Sequence, residues 1–103
     1  MLYFVLLPLN SNLKDVLRKI DVRQTVTIQA NSYITVNMPM EVEEGYTPSF
    51  LTGYALNNLN VVLYNFYLDT NTMNAVLGIK NTSSSTQTVT IMVNGSAEKN
   101  FIY

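Results

Sequence analysis

Hydrophobic and polar residues alternate with a period of two over most of the chain, which is the pattern of a β-strand with one buried face. The run TVTIQ, residues 25–29, is predicted to turn Val26 and Ile28 inward and its threonines outward. The run TQTVTIMV, residues 86–93, follows the same rule. Its expected inner face consists of Val89, Ile91 and Val93. Thr, Val and Ile dominate these runs, as a half-buried pleated surface favours.

A third alternating run, SYITVNMPMEV at residues 32–42, contains Pro39. Because proline has no N–H to donate to a neighbouring strand, this strand is expected at a sheet edge or bulged at that point. The expected inner face consists of Ile34, Val36, Met38, Met40 and Val42. Gly45 follows in a turn, where positive φ is available to it. Gly53 lies inside the next strand and marks a bulge or a point of close approach.

The run NVVLYNFYL, residues 60–68, departs from this pattern because both of its faces are apolar. One face consists of Val62, Tyr64, Phe66 and Leu68, and the other of Val61, Leu63, Asn65 and Tyr67. We expect the first face to fill the core, although the inverted register would exchange the two. We expect the second face to be covered by a neighbouring subunit or by a helix of the same chain. We favour the subunit, because a second apolar face is typical of an obligate interface.

The N-terminal part has a different pattern. Apolar residues recur at helical spacing at Leu13, Val16, Leu17 and Ile20, and they predict a short helix. So short a helix is marginal alone in water, so we expect it to dock on the sheet or on other copies. The preceding run, MLYFVLLPLN at residues 1–10, is too short to span a membrane and is interpreted as a strand or as a fragment of a longer upstream element. We therefore divide the chain into residues 1–21, with this strand and helix, and a β domain over residues 22–103.

Short strands at regular spacing, separated by turns rich in Asn, Ser, Thr and Gly, are typical of a β-sandwich or barrel. The predicted fold class is all-β. We expect an antiparallel, jelly-roll-like β-sandwich of about eight strands with one short N-terminal helix. The run NGSAE, residues 94–98, is predicted as a turn, and KNFIY, residues 99–103, as a final strand.

Composition excludes several functions. The 103 residues have a net charge of −1, and their six Lys and Arg residues form no basic cluster that would bind nucleic acid. There is no Cys and no His, so the common nucleophile–base pairs and the commonest metal ligands are absent. The acidic cluster at Glu41, Glu43 and Glu44 is interpreted as a solvated loop rather than a glycosidase pair. We expect no enzyme activity, no cofactor, no metal and no membrane insertion.

Tyrosine is the more informative residue type. There are seven tyrosines and no tryptophan, and tyrosine suits positions where one end is dry and the other wet. Such positions occur in a core margin, in a subunit interface and in a platform on which sugars stack. Tyr33, on a polar strand face, and Tyr46, beside a turn, are the predicted ligand contacts, together with Asn57 and Asn58.

Three pieces of sequence support a family resemblance: Gly45-Tyr46-Thr47-Pro48, the Gly-x-x-x-Asn-Asn run at residues 53–58, and KNTSSSTQTVT at residues 80–90. With these pieces, residues 22–93 resemble the C-terminal β-sandwich domains of tail-fibre and receptor-binding proteins from phages and prophages of gut Gram-positive bacteria. These are turn and strand motifs, and the family offers no catalytic residues to transfer. The resemblance implies a homotrimer.

The resemblance also implies a function. The chain would be a non-enzymatic module at the distal end of a phage tail fibre, made in the bacterial cytoplasm and assembled into the virion. Its partners would be other virion tail proteins and a bacterial surface polysaccharide. The alternative is a structural tail or capsid component that binds only other virion proteins. In the trimer, Val61, Leu63, Asn65 and Tyr67 would form the subunit interface.

Overall fold

The structure, a computed structural model, describes residues 16–56 and 58–101 of the chain. Within these residues the fold is all-β, with two antiparallel sheets of three strands in the orders β1-β6-β3 and β2-β5-β4. The strands are β1 (Leu17–Ile28), β2 (Tyr33–Pro39), β3 (Tyr46–Leu56), β4 (Val61–Asp69), β5 (Asn74–Asn81) and β6 (Gln87–Lys99). The predicted all-β, antiparallel class is confirmed. The prediction of about eight strands is wrong for the described residues, which form six.

The strand count differs partly because β6 is longer than predicted. The run at residues 94–98, predicted as a turn, continues β6, where Asn94 pairs with Asp21 on one side and with Thr52 on the other. Pairing on both sides holds these residues extended despite their turn-like composition. The strand predicted over residues 1–10 lies outside the described residues, as do residues 102 and 103 of the predicted final strand.

The prediction of a helix is wrong for residues 17–20, which lie in β1, whereas Val16 just before the strand is helical. Leu17 begins β1, and Ile20 lies opposite Gly95 of β6 and is 3% exposed. Alternation therefore extends back to the start of β1, and pairing with β6 outweighs a helix that would be marginal alone. Residues 13–15 lie outside the described residues. The expected boundary between residues 21 and 22 falls inside β1.

One hydrophobic core lies between the two sheets. The predicted inner residues of β2 and β6, such as Val36, Met38 and Ile91, are buried in it. Ile28 of β1 is also buried, and Val26 packs against the same core. Pro39 ends β2, which is an edge strand, as its missing N–H predicts. These face assignments are confirmed.

Two glycines allow close approaches between strands. A Cβ on Gly53 of β3 would lie 3.1 Å from Leu77 Cδ2 in the opposite sheet, so Gly53 marks a close approach rather than a bulge. The bulge in β3 lies between Pro48 and Phe50. Gly95 of β6 lies under this bulge, and a Cβ there would overlap the Phe50 carbonyl oxygen.

The buried side-chain amide of Asn81 bonds to several parts of the chain at one end of the two sheets. Asn81, at the end of β5, is fully buried, and its Nδ2 lies 3.0 Å from the carbonyl oxygen of Ile28 and 2.8 Å from that of Ser85. Its Oδ1 accepts from the N–H of Ser83 at 2.9 Å. One side chain thus holds the end of β1, the end of β5 and the β5–β6 loop together.

Candidate binding surface

A bulge in β4 decides which of its side chains face the core. Leu63 pairs with Ile79 and Asn65 pairs with Gly78, so Tyr64 is an extra residue in the ladder. An extra residue shifts the alternation by one position. Val61 and Leu63 therefore share the inner side with Phe66 and Leu68 beyond the bulge.

Because of this bulge, neither of the two faces predicted for residues 60–68 is correct along its whole length. Val61 is 7% exposed and lies in the core of its own chain, and Leu63 packs against that core. These two residues are therefore unavailable as the predicted subunit interface. Tyr67 and Asn65, from the same predicted face, are exposed. Val62 and Tyr64, predicted for the core, are exposed as well, because the phase changes between Leu63 and Asn65.

The outer face of the β2-β5-β4 sheet carries three exposed tyrosines. Tyr33 of β2 is 59% exposed, and Tyr64 and Tyr67 of β4 are 53% and 51% exposed. We call this surface the tyrosine face. By strand register it consists of Tyr33, Thr35, Asn37, Val62, Tyr64, Asn65, Tyr67, Val76, Gly78 and Lys80.

The ring of Tyr64 lies across the central strand of this sheet. A Cβ on Gly78 of β5 would lie 2.7 Å from Cζ and 2.8 Å from Cε2 of that ring. Only glycine leaves room for the ring at this point. The β4 bulge and Gly78 together therefore place an aromatic ring close to the backbone of β5.

Tyr64 reaches Tyr33 on the far side of β5. The two ring centroids are 5.3 Å apart and the rings are perpendicular, at 89°. Aromatic rings prefer this edge-to-face contact, which is worth roughly 0.5–1.5 kcal/mol beyond burial. The Lys80 ammonium lies 4.8 Å from the centroid of Tyr33 on the same face. These contacts give the tyrosine pair a defined arrangement on the sheet.

Polar groups lie around the rings. Register places Tyr67 opposite Val76 and Val76 opposite Asn37, and Val76 is only 6% exposed although it points outward. Neighbouring side chains therefore cover Val76 and keep solvent away from it. Asn65 and Asn37 each bring an amide, Thr35 a hydroxyl and Lys80 an ammonium. Apolar rings and hydrogen-bonding groups thus alternate across three strands.

On the outer face of the other sheet, two threonine pairs and Tyr54 bond to neighbouring side chains, although the buried Oδ1 of Asn94 has no hydrogen-bond partner among the described residues. Thr25 and Thr90 have hydroxyl oxygens 3.2 Å apart, and the next threonine pair continues this ladder at 3.0 Å. Tyr54 donates its hydroxyl hydrogen to Met92 Sδ at 3.1 Å and accepts from Asn94 Nδ2 at 3.0 Å. Such internal bonding leaves fewer groups for a ligand, which favours the tyrosine face as the site.

The structure separates the residues predicted to bind a ligand. Tyr33 lies on the tyrosine face. The Arg18 guanidinium carbon lies 4.4 Å from the ring centroid of Tyr46, beside the start of β3, and Arg18 is paired with Glu43 at 3.1 Å. Asn58 caps the β3–β4 connection by accepting from Asn60 N–H at 2.9 Å. Asn57 lies outside the described residues.

Tyr64 is the residue that sequence reasoning missed. Alternation counted through the run assigns it to the core side, with Phe66. The available signal was the adjacent Asn65, which interrupts the apolar run at the position where the register shifts.

Clusters of metal-ligating side chains are absent from the described part of the chain. Its His, Cys, Asp and Glu side chains form no group of three or more that could hold a metal ion. Glu41, Glu43 and Glu44 are exposed, as predicted. Asp69, at the end of the tyrosine face, accepts from Asn71 N–H at 2.9 Å and so caps the β4–β5 turn. No helix within residues 16–56 and 58–101 is long and apolar enough to cross a membrane.

Comparison with known proteins gives no relative to guide the assignment. No protein-family model, curated protein or solved structure matches the chain.

Proposed function

We propose that the chain is a non-catalytic binding module whose tyrosine face stacks on the sugar rings of a bacterial surface glycan. The observation that carries the proposal is the exposed, perpendicular Tyr33–Tyr64 pair, in which the Tyr64 ring lies against Gly78. Aromatic rings pack on the apolar C–H faces of a pyranose, and the surrounding amides and hydroxyls bond to its hydroxyl groups. Few convergent polar groups around an apolar surface are typical of ligand sites.

We further propose that this module belongs to the tail of a phage virion, at the distal end of a tail fibre. Support comes from the turn and strand motifs at residues 45–48, 53–58 and 80–90 and from the strand order. In both sheets the chain places its first strands beside its last ones, β1 beside β6 and β2 beside β5, as a jelly-roll sandwich does. Jelly rolls recur in viral capsid and lectin domains, although fold alone does not assign function.

A glycan array with purified Gram-positive wall polysaccharides tests the glycan proposal. We expect binding by the intact chain and a loss of about tenfold or more in the Tyr33→Ala and Tyr64→Ala variants, which corresponds to about 1.4 kcal/mol. Tyr54→Ala, which removes a tyrosine from the opposite sheet, is the matched control and should leave binding unchanged. Absence of binding by the folded, intact chain at high concentration would contradict the proposal.

The second candidate function is a virion assembly protein that binds only other virion proteins. The observation that favours it is Val62, an aliphatic side chain 47% exposed beside Lys80 on the tyrosine face. Under this function the tyrosine face is buried against a neighbouring subunit, in a homotrimer or with another tail protein. Light scattering over a dilution series separates the two functions when it is combined with the array. A stable trimer that Tyr67→Arg dissociates, without glycan binding, supports assembly.

A further inference from the structure

Lys80 is the one charged side chain of the tyrosine face, since the other residues of that face include no Asp, Glu, Lys or Arg. It lies on the central strand β5, where register places it between Tyr33 of β2 and Val62 of β4. A ligand that covers this face therefore meets one positive charge and no negative one.

The Lys80 ammonium is held beside the tyrosine pair. Its Nζ lies 4.8 Å from the ring centroid of Tyr33, within the distance of about 6 Å at which the face of an aromatic ring attracts a cation. Tyr33 in turn contacts Tyr64, with 5.3 Å between the ring centroids. A sugar ring that stacks on this pair therefore lies next to the ammonium.

No carboxylate within residues 16–56 and 58–101 forms an ion pair with Lys80. Ion pairs join Arg18 to Glu43 and Arg23 to Asp21 instead. The contact with Tyr33 attracts the ammonium without cancelling its charge. Because Lys80 is only partly buried, that charge is open to an anion from solution.

The nearby carboxylates of this sheet lie at its other end. Asp69 is at the opposite end of the tyrosine face, about 20 Å from Lys80 along the strands. Glu41 follows Met40, whose N–H bonds to the carbonyl oxygen of Met73 in the turn at that same end. At physiological salt the Debye length is about 8 Å, so these carboxylates barely weaken the attraction of Lys80 for an anion.

We propose that the ligand of the tyrosine face is an acidic glycan, in which the carboxylate of a hexuronic acid pairs with Lys80 while its ring stacks on the tyrosines. A carboxylate bonded directly to the sugar ring suits this arrangement, because the ammonium and the stacking rings are neighbours on one surface. The oxygen atoms of the carboxylate accept charge-assisted hydrogen bonds from the ammonium. This inference rests on the proposed glycan-binding function and narrows its ligand to one chemical class.

A matched pair of polysaccharides tests the inference with the full chain. One is a purified bacterial wall polysaccharide that contains hexuronic acid, and the other is the same polysaccharide after its carboxyl groups have been reduced to alcohols. We expect the intact chain to bind the acidic form about fivefold more tightly, as a solvent-accessible ion pair allows. Neutral polysaccharides and phosphodiester-linked polymers complete the panel.

Three variants assign the preference to Lys80. Lys80→Gln should bind the acidic and the reduced forms equally, whereas Lys80→Arg, which keeps the charge and the contact with an aromatic ring, should retain the preference. Lys19→Gln is the matched control, because it removes the same charge from an exposed position of β1 in the other sheet. We expect this control to bind as the intact chain does.

Salt dependence gives a second measurement that needs no variant. Raising the salt from 0.1 M to 1 M shortens the Debye length from about 10 Å to about 3 Å, so the intact chain should lose its preference for the acidic form. Equal binding of both forms at low salt, an unchanged preference in Lys80→Gln, or binding confined to phosphodiester polymers would overturn the inference and leave glycan binding standing. Binding of no polysaccharide by the folded chain would contradict the proposed function and the inference together.

Discussion

The ring of Tyr64 lies directly over Gly78, close enough that a Cβ at position 78 would come within 2.7 Å of its Cζ atom. This contact exists because the β4 bulge turns Tyr64 outward and because β5 offers a bare backbone at the residue opposite Asn65. The tyrosine face therefore depends on two features of neighbouring strands that act together.

The first prediction concerns this pair. Gly78→Ala should destabilise the intact chain by about 1–3 kcal/mol, since the added methyl group displaces the Tyr64 ring. In the Tyr64→Ala background the same change should cost at least about 1 kcal/mol less, because alanine suits a strand better than glycine once the ring is gone. Urea unfolding of the four proteins gives the coupling free energy. Equal costs in both backgrounds would show that the ring does not occupy this position.

The second prediction concerns the corrected faces of β4. Val62→Asp should change the free energy of unfolding by no more than about 0.5 kcal/mol, because Val62 is 47% exposed. Leu63→Asp should prevent folding or destabilise strongly, because it places a charge against the core. Circular dichroism and urea titration of both variants check this. A strong loss of stability in Val62→Asp together with a small one in Leu63→Asp would place the bulge elsewhere in β4.

The inner faces of β2 and β6 could be predicted from sequence because each strand alternates without interruption between its turns. The face on which Tyr64 lies could not be predicted. An extra residue in a strand reverses which side chains point inward after it, and composition does not reveal this. Leu17 and Ile20 lie in a strand rather than a helix because they pair with β6. This partner is distant in the chain, so a local pattern cannot reveal it. Gly95 resembled a turn residue, but the close approach of the Phe50 backbone is what requires it.

The candidate site was likewise only partly predictable from the sequence. The exposed position of Tyr33 could be predicted, because Tyr33 lies in an alternating run and falls on its polar side. Tyr46 and Asn58 have the right residue types, but Tyr46 is stacked with Arg18 and Asn58 caps a turn. Residue type alone cannot distinguish a group that is available to a ligand from one that serves its own chain.

The third prediction concerns two glycines that are close to different kinds of atoms. Gly95→Ala should destabilise the chain by about 3 kcal/mol or more, because the new methyl group meets the Phe50 carbonyl in a backbone that cannot move without breaking the β3–β6 pairing. Gly53→Ala is the matched change, since its methyl group meets the movable end of Leu77 at 3.1 Å. We expect it to cost less than about 1.5 kcal/mol. Thermal and urea unfolding of both variants measure the difference, and similar costs would contradict the tight packing of β6 against the bulge.

The last prediction concerns Asn81, whose amide nitrogen faces the carbonyl oxygens of Ile28, Gln29 and Ser85. Asn81→Leu would leave these buried carbonyls without their donor, so we expect a loss of about 2–4 kcal/mol in the free energy of unfolding. Asn81→Asp keeps the shape of the side chain but replaces the donor with an acceptor.

The aspartate variant also gives this prediction a pH dependence. A carboxylate among carbonyl oxygens is disfavoured in the folded state, so the pKa of the introduced acid should be raised above its value in the unfolded chain. A raised folded-state pKa means that the folded state binds the proton more tightly, so stability relative to the unmodified chain should recover as pH falls through that pKa and be lost as pH rises. Urea unfolding from pH 7 down to pH 4 checks the sign, with Asn81→Leu as the control whose deficit should not change with pH. A constant deficit in Asn81→Asp would mean that residue 81 is not enclosed by those carbonyls.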